Sequence, residues 1–196
     1  RDLGEGAWWH ACDVSDAAEV ETLAEAVKTR WGAVDGLVNN AGIAPMATLE
    51  ETEPEAWDTV FNVNVRGPYL LCRALGPLLR RGESPAVVNI SSSLGDRAIP
   101  GMMAYNAYKA ALNHMTRCLA LEWAPTVRVN AIMAGPFFTD VSRAWDLAEF
   151  EARAERDIAL RRGGEPDEIV GAALYLCSEA ASFTTGAVLP VDGGRR

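Results

Sequence analysis

The sequence has few of the residues that bind metals or cross-link chains. It contains two histidines and four cysteines in 196 residues. The cysteines stand far apart, with no CxxC pair and no Cys/His spacing of the kind that binds zinc, at Cys12, Cys72, Cys118 and Cys177. We therefore expect reduced, mostly buried thiols in a cytoplasmic protein, and no bound metal.

Long apolar runs and a basic surface are also lacking. No apolar run approaches the roughly 18 residues of a membrane helix, and we expect neither a membrane span nor a signal peptide. The net charge of −9 argues against a broad nucleic-acid surface. With 49% hydrophobic and 23% charged residues, the composition is that of a globular protein. We expect one domain over residues 1–196.

Strand and helix patterns alternate along the chain, which is typical of an α/β protein with a mainly parallel sheet. Strands are predicted within GAWWHACDV, ending at Asp13, and within VDGLVNNAG, AVVNISSS, VRVNAIMAG and AVLPVDGG. The first predicted helix covers SDAAEVETLAEAVKTRWG, with Ser15 as its N-cap, and the second runs from a Thr52–Glu55 capping box to Gly82. Three further helices are predicted: from Tyr105 to Trp123, within 140–160, and from Pro166 through EPDEIVGAALYLCSEAA.

The stretch AYNAYKAAL at 104–112 places two tyrosines near one lysine. In a helix, side chains at i and i+4 share a face, whereas sequence neighbours diverge by about 100°. Tyr105 is therefore predicted to pair with Lys109, and Tyr108 to pack. A tyrosine hydroxyl has an ordinary pKa of about 10, and a nearby ammonium favours the phenolate. Such a pair suits proton exchange with a substrate oxygen near neutral pH.

Three serines, Ser91, Ser92 and Ser93, follow one of the predicted strands. Ligands of parallel α/β sheets bind beyond the carboxyl ends of the strands. A serine hydroxyl at this position could donate a hydrogen bond to the substrate oxygen and polarise a carbonyl group.

These motifs resemble those of the short-chain dehydrogenase/reductase family. The family's Tyr-x-x-x-Lys pattern falls on Tyr105 and Lys109. Its serine, thirteen positions before the tyrosine, falls on Ser92, with Ser91 and Ser93 as the next choices. The resemblance extends over essentially the whole chain and includes NNAG at 39–42, FNVNVRG, RRGGEPDEI and the VDGG near the C-terminal end.

The family resemblance implies a Rossmann-like, doubly wound parallel sheet with helices on both faces. It also implies an oxidoreductase that transfers a hydride between NAD or NADP and an alcohol or ketone, of the 3-oxoacyl or the sugar and polyol type. Tyr105 would exchange the proton, and Ser92 would steady the oxygen. Lys109 would tune Tyr105 and hold the ribose, and Asn64 of FNVNVRG would complete a proton path.

Further contacts are implied by the same resemblance. Besides Tyr105 and Lys109, the implied cofactor-binding residues are Asp13, Val14, Asn39, Asn40, Ala41, Gly42, Gly135, Pro136 and Thr139. With Ser92, the implied substrate residues are Phe137, Phe138 and Trp145, which fall where the family places its substrate lid. Structural alternatives are open: Asp13 could serve only a helix cap, the asparagines a turn, and the aromatic residues a core.

One family motif is missing from the sequence. The glycine-rich phosphate loop after the first strand has no counterpart, since GEGAWW precedes a predicted strand and holds Trp9 at the third glycine position. We expect the first two strands and the first helix of the sheet, roughly 40–60 residues, to be lacking. The chain alone should then bind cofactor poorly, and the choice between NAD and NADP cannot be read. The alternative is a truncated, inactive homologue that serves as a binding or assembly module.

An oligomer is also implied, because members of this family are commonly tetramers. They use helices like those predicted at 53–81 and 105–123. The apolar stripe of Tyr108, Leu112, Met115 and Leu119 fits such an interface, or a plain core. We expect a homo-oligomer, either a dimer or a tetramer.

Overall fold

The computed structural model of the protein describes Gly4 and residues 6–195. A parallel sheet of four strands runs through it in the order β1-β2-β3-β4. The strands are β1 (Gly36–Asn39), β2 (Ala86–Ser92), β3 (Arg128–Ala134) and β4 (Val188–Val191). Because the strands are parallel, their carboxyl ends meet at one edge, where Asn39 lies opposite Asn89 and Ser92 opposite Ala134.

Helices connect the strands. In the described part of the chain these are α1 (Ala17–Trp31), α2 (Pro54–Phe61), α3 (Gly67–Leu79), α4 (Met103–Trp123), α5 (Leu147–Asp157) and α6 (Val170–Cys177). A π-helical turn at Asn62–Arg66 joins α2 to α3, and short 3-10 turns follow β2 and precede α6. None of the described helices is long and apolar enough to cross a membrane.

The two faces of the sheet bury separate cores. Val87 of β2 packs with Val129 of β3 against α1 and α3, where Leu79 is fully buried. The next residue, Val88, points the other way and packs with Leu176 of α6. A strand covered on both faces is buried along its length, and every residue of β2 is buried except the partly exposed Ile90. This arrangement confirms the predicted Rossmann-like, doubly wound fold, and the four-stranded sheet agrees with the expectation that two strands are lacking.

The segment at 7–13 corrects one prediction. GAWWHACDV was expected to form a strand, but the structure has none between Ala7 and Asp13. A strand is held by hydrogen bonds to a neighbouring strand, and none lies beside this segment in the described residues. Trp8 instead packs edge-on against Trp31 of α1, with 5.5 Å between ring centroids.

Two helix caps also differ from prediction. Asp16, and not Ser15, caps α1, because its carboxylate accepts from the backbone N–H groups of Ala18 and Glu19 at 2.7 and 3.1 Å. The predicted Thr52–Glu55 capping box does not form. α2 begins at Pro54 without a side-chain cap.

The cysteines are less buried than expected. All four thiols are free, but Cys72 is the one that is fully buried, and Cys118 is exposed. No group of three or more His, Cys, Asp or Glu residues within the described ranges is arranged to hold a metal ion.

Candidate active site

The turn after β1 is fastened to the π-helical turn by one asparagine side chain. Asn64 donates from Nδ2 to the carbonyl oxygen of Ile43 at 3.0 Å, and its Oδ1 accepts from the Ile43 N–H at 3.0 Å. A second Nδ2 bond reaches the Val60 carbonyl at 2.8 Å. Asn64 is only 3% exposed, so its amide works as a buried clamp on the loop.

Gly42 is required by the same clamp. A Cβ added to Gly42 would lie 2.6 Å from the Asn64 Oδ1, closer than atoms can approach. Asn40 and Ala41, which precede Gly42 in NNAG, are exposed beyond the end of β1. The motif therefore presents backbone groups and short side chains at the carboxyl edge of the sheet.

Asn39 lies below this turn in a polar network that the sequence reading missed. Its Nδ2 donates to Asn89 Oδ1 at 2.8 Å, and Asn89 Nδ2 donates to Thr116 Oγ1 at 2.9 Å. Thr116 in turn donates to the Leu112 carbonyl at 2.8 Å. All three side chains are buried. The available signal was an asparagine inside the apolar run AVVNIS, since a buried amide needs partners.

The two tyrosines of α4 differ in burial more than in their distance from Lys109. The Lys109 Nζ lies 5.7 Å from the ring centroid of Tyr105 and 5.2 Å from that of Tyr108, so the lysine reaches both rings. The predicted divergence of Tyr108 from Lys109 is therefore wrong, because the long lysine stem spans the angle between them. Tyr108 is 2% exposed, and its hydroxyl faces the Ile43 carbonyl at 3.4 Å. Tyr105 is half-buried, so part of its side chain is accessible to solvent.

Lys109 also ties α4 to the end of β2. Its ammonium donates to the Ile90 carbonyl at 2.7 Å. Burial lowers the pKa of Lys109 from the ordinary 10.5 to about 8. The charge of this lysine is thus adjustable close to physiological pH.

The three serines at the end of β2 have different partners. Ser91 donates to the Lys109 carbonyl at 3.4 Å, and Ser93 accepts from the Arg195 guanidinium at 3.0 Å. Ser92 accepts from the Leu94 N–H at 3.2 Å, and within the described residues its hydroxyl proton has no acceptor. Ser91 therefore uses its hydroxyl proton, whereas Ser92 and Ser93 both accept and keep a donor free within the described residues.

The segment after β3 pairs with the loop between α5 and α6. The Pro136 carbonyl accepts from the Gly164 N–H at 2.9 Å, and the Phe138 N–H donates to the Gly164 carbonyl at 2.9 Å. Phe137 lines a cleft of about 170 Å³ with Pro136 and the Arg162–Glu168 ion pair. Hydrogen bonds from Arg162 and from the Glu165 N–H lower the pKa of Glu168 to about 2, so the pair stays charged.

The predicted lid residues separate into two groups. Phe138 and Trp145 pack with Phe150 of α5, with ring centroids 5.5 Å apart for Phe138–Phe150 and 4.9 Å for Trp145–Phe150. Phe137 belongs instead to the cleft. Thr139 is exposed, and its carbonyl accepts from Ser142.

Asp13 and Val14 lie apart from the tyrosine and lysine, before α1. The Asp13 carboxylate accepts from the N–H and hydroxyl groups of Ser15 at 2.9 and 2.7 Å, and these bonds lower its pKa. Val14 packs so closely on Gly67 that a Cβ there would lie 2.9 Å from a Val14 methyl group. Both residues have local structural partners of their own.

The residues present fit one half of a nicotinamide dinucleotide. The exposed Asn40–Gly42 turn offers backbone groups, and Tyr105 and Lys109 offer a phenol and an ammonium, which are the groups that a nicotinamide ribose would need. For the pyrophosphate, the described residues contain no glycine-rich turn that follows a strand and opens a helix. The described residues therefore fit the nicotinamide half of the dinucleotide and not the pyrophosphate.

A family model described as "Enoyl-(Acyl carrier protein) reductase" matches residues 1–196. The chain belongs to the short-chain dehydrogenase/reductase family. The likeness found in the motifs is thus confirmed over the whole length, and relatives in this family are dehydrogenases and reductases.

Known members of the family differ in what they act on. A D-threitol dehydrogenase of Mycolicibacterium smegmatis is 38% identical over 186 residues, which cover 94% of this chain and 71% of the relative. An inactive 2-(S)-hydroxypropyl-CoM dehydrogenase 2 of Xanthobacter autotrophicus is 38% identical over 200 residues, which cover 98% of this chain and 86% of the relative. The structure of a gluconate 5-dehydrogenase of Burkholderia cenocepacia, in complex with NADP and tartrate, superimposes with a TM-score of 0.88 at 33% identity. The superposition covers 92% of this chain and 72% of the other.

Proposed function

We propose that the protein catalyses hydride transfer between NAD or NADP and an alcohol or ketone, with Tyr105 as the general acid and base. One observation carries this proposal. Lys109, whose pKa burial lowers to about 8, lies beside the half-buried ring of Tyr105 and is anchored two residues before Ser92. A cation, a phenol and a free hydroxyl donor around one oxygen position suit carbonyl reduction and its reverse.

Each residue has a defined task in the proposal. Tyr105 gives its hydroxyl proton to the carbonyl oxygen during reduction and takes it back during oxidation. Ser92 donates a hydrogen bond to the same oxygen, and the Lys109 charge stabilises the negative charge that develops on Tyr105. A bound nicotinamide supplies or accepts the hydride. Asn64 holds the loop that borders the site and would complete the proton path from Lys109.

Contacts with cofactor and substrate follow the same assignment. The proposed cofactor contacts are Asn39, Asn40, Ala41, Gly42, Tyr105, Lys109, Gly135, Pro136 and Thr139, with Asp13 and Val14 at the adenine. Phe137, Phe138 and Trp145 would border the substrate. The names of relatives support small polyols and sugar acids, and the family model supports acyl substrates.

The matched pair Tyr105→Phe and Tyr108→Phe tests this function. Each change removes one hydroxyl, from neighbouring rings whose centroids are 5.0 Å apart. Tyr105→Phe should abolish oxidation of an alcohol panel with NAD and NADP, whereas Tyr108→Phe should retain it. Circular dichroism should show both variants folded. Equal turnover by Tyr105→Phe and the unchanged protein would disprove the role of Tyr105.

A catalytically inactive assembly module is the second candidate. It is favoured by the lack of a glycine-rich turn in the described residues and by the name of one relative, an inactive dehydrogenase. Calorimetric titration with NADH and NADPH separates the two. Binding with turnover supports the enzyme, and binding to neither cofactor supports the module.

We further infer a cytoplasmic, single-domain homo-oligomer, a dimer or tetramer. The four free thiols support a cytoplasmic location, because thiols stay reduced there. Tyr108 and Leu112 of the predicted stripe are buried within the chain and belong to its core. Exposed apolar side chains on the same pair of helices, Tyr69 of α3 and Leu121 of α4, support the assembly. Light scattering should give a mass of two or four chains.

A further inference from the structure

A single arginine side chain links the segment after β4 to the turn after β2. The Arg195 Nη1 donates to Ser93 Oγ at 3.0 Å, between residues that stand 102 positions apart in the sequence. β2 and β4 are not neighbours in the sheet, because β3 lies between them. Two strand spacings amount to about 10 Å, so this connection past the end of β3 needs a long side chain.

The backbone that carries the guanidinium is itself held on two sides. The Arg195 N–H donates to Asp192 Oδ1 at 3.3 Å, and a β-bridge joins Arg195 to Ile158, just after α5. The carbonyl oxygens of Gly193 and Gly194 each accept, at 3.0 Å, from one of the two N–H groups that follow Ile158. Arg195 therefore projects from a braced turn, and its side chain can impose that order on Ser93.

Ser93 depends on this contact. Its side chain is 3% exposed, and within residues 6–195 its hydroxyl oxygen makes no hydrogen bond other than the one from Arg195. A buried hydroxyl without a partner is unfavourable. Removal of the guanidinium should therefore let the backbone at Ser93 shift until the hydroxyl reaches water.

The serine turn, residues 92–95, contacts α4 as well as Arg195. A Cβ on Gly95 would lie 2.9 Å from the Lys109 carbonyl carbon, so the far end of the turn packs directly on the helix that carries the lysine. The near end, where Ser92 adjoins Ser93, is held by Arg195. Loss of the arginine would leave the turn fixed to α4 alone.

We propose that Arg195 is a positioning residue for the reaction. By holding Ser93, it fixes the adjoining Ser92 hydroxyl at the place where the substrate oxygen binds, and it makes no contact with the substrate itself. This inference rests on the proposed function, which gives Ser92 its role as a hydrogen-bond donor.

Arg195→Met and Arg128→Met are a matched pair of variants. Arg128 is also half-buried and also links two segments, since its guanidinium donates to the carbonyl oxygens of Leu176 and Ser178 at 2.9 and 3.2 Å. It is the first residue of β3 and so lies at the opposite edge of the sheet from Ser92. Each change removes one guanidinium and the link it makes, but only Arg195→Met affects the serine turn.

Turnover of an alcohol that the unchanged protein oxidises with NAD or NADP measures the effect on the reaction. Arg195→Met should lower kcat by about tenfold with a smaller change in KM, because a displaced Ser92 loses a hydrogen bond that strengthens in the transition state. Arg128→Met should leave kcat nearly unchanged.

A double-mutant cycle tests whether Arg195 acts through Ser93. Ser93→Ala should reproduce the loss in kcat, and the Arg195→Met/Ser93→Ala double variant should be no slower than Arg195→Met, because both changes break the same contact. Losses that multiply in the double variant would show that Arg195 acts by another route and would overturn the inference.

Hydrogen exchange gives a measurement that needs no turnover. The Leu94 N–H donates to Ser92 Oγ at 3.2 Å, so its exchange rate reports the order of the serine turn. The rate is measured by NMR on the full chain and divided by that of Val88 in β2, which corrects for changes in global stability. The ratio should rise by about tenfold in Arg195→Met and in Ser93→Ala, and stay unchanged in Arg128→Met.

The two measurements separate this inference from the proposed function. An unchanged Leu94 ratio or an unchanged kcat in Arg195→Met would overturn the positioning role and leave the proposed function standing. A raised ratio in a protein that oxidises no alcohol would support the hold of Arg195 on the serine turn and count against the proposed function. If Arg195→Met does not fold, Ser93→Ala, which deletes a single oxygen atom, decides by the same two measurements.

Discussion

Gly135 and Asp192 approach each other so closely that no side chain fits between them. A Cβ on Gly135 would lie 2.6 Å from the Asp192 Cα, and the Gly135 N–H donates to the Val191 carbonyl at 2.9 Å. The segment after β3 therefore lies directly against the turn after β4, and this contact sets the path of Pro136 and Phe137.

Gly135→Ala should lower the free energy of unfolding by about 2 kcal/mol or more, because the clash is with backbone and neither strand end can give way. Gly171→Ala is the matched control. No atom lies within 4 Å of a Cβ at Gly171, and its place in α6 favours a gain of about 0.5–1 kcal/mol. Urea denaturation measures both. A neutral Gly135→Ala would show that the contact is looser than described.

The clamp on the NNAG turn gives a second prediction. Asn64→Ala removes three hydrogen bonds, of which the one to Val60 is buried, and leaves the Ile43 N–H and carbonyl without that partner. We expect a loss of about 2–4 kcal/mol in unfolding free energy. Asn62→Ala makes the same change at an exposed position in the same π-helical turn and should stay within about 0.5 kcal/mol. Similar losses in both variants would argue against the clamp.

The buried network gives a third prediction. Thr116→Val keeps the shape of the side chain but leaves Asn89 Nδ2 without its acceptor, at a cost of about 1–3 kcal/mol. Thr22 of α1 makes the same bond to a carbonyl four residues earlier, at 2.8 Å in both cases, but is exposed. Thr22→Val should therefore be nearly neutral. The difference between the two unfolding free energies isolates the contribution of the asparagine contact and burial.

Lys109 should titrate near pH 8. With lysine labelled at ¹³Cε, the sequence gives two signals, from Lys28 and Lys109, and Lys109→Arg assigns them. The Lys109 signal should move with a midpoint of about 8, because burial disfavours its charged form. A midpoint above 10 would contradict the burial of its ammonium group.

The sign of the Lys109 contribution to stability follows from the same shift. Its pKa in the folded protein, about 8, lies below the ordinary 10.5, so between these values the unfolded chain binds more protons. This group therefore destabilises the fold below pH 8, and that penalty is relieved as pH rises from about 8 to 10.5. Lys109→Met should lessen the rise in unfolding free energy over that window.

Local sequence patterns determined much of the architecture. The strands β1–β4 were predicted from short apolar runs, and α1 and α4 from helical spacing, because burial on one or both faces follows directly from periodicity. The i, i+4 spacing put Tyr105 within reach of Lys109, although Tyr108 lies as near. The motifs also indicated the family, since they occur together and in order along one chain.

Other features were decided by contacts between distant segments. The run at 7–13 has the composition of a strand but forms none, because a strand needs a partner that its own sequence does not contain. The partners of Ser91 and Ser93 are set by Lys109 and Arg195, and the burial of Tyr108 is set by Ile43 and the packing around it. Periodicity fixes the face of a helix or strand that a residue occupies, but its hydrogen-bond partners are set by how the elements pack.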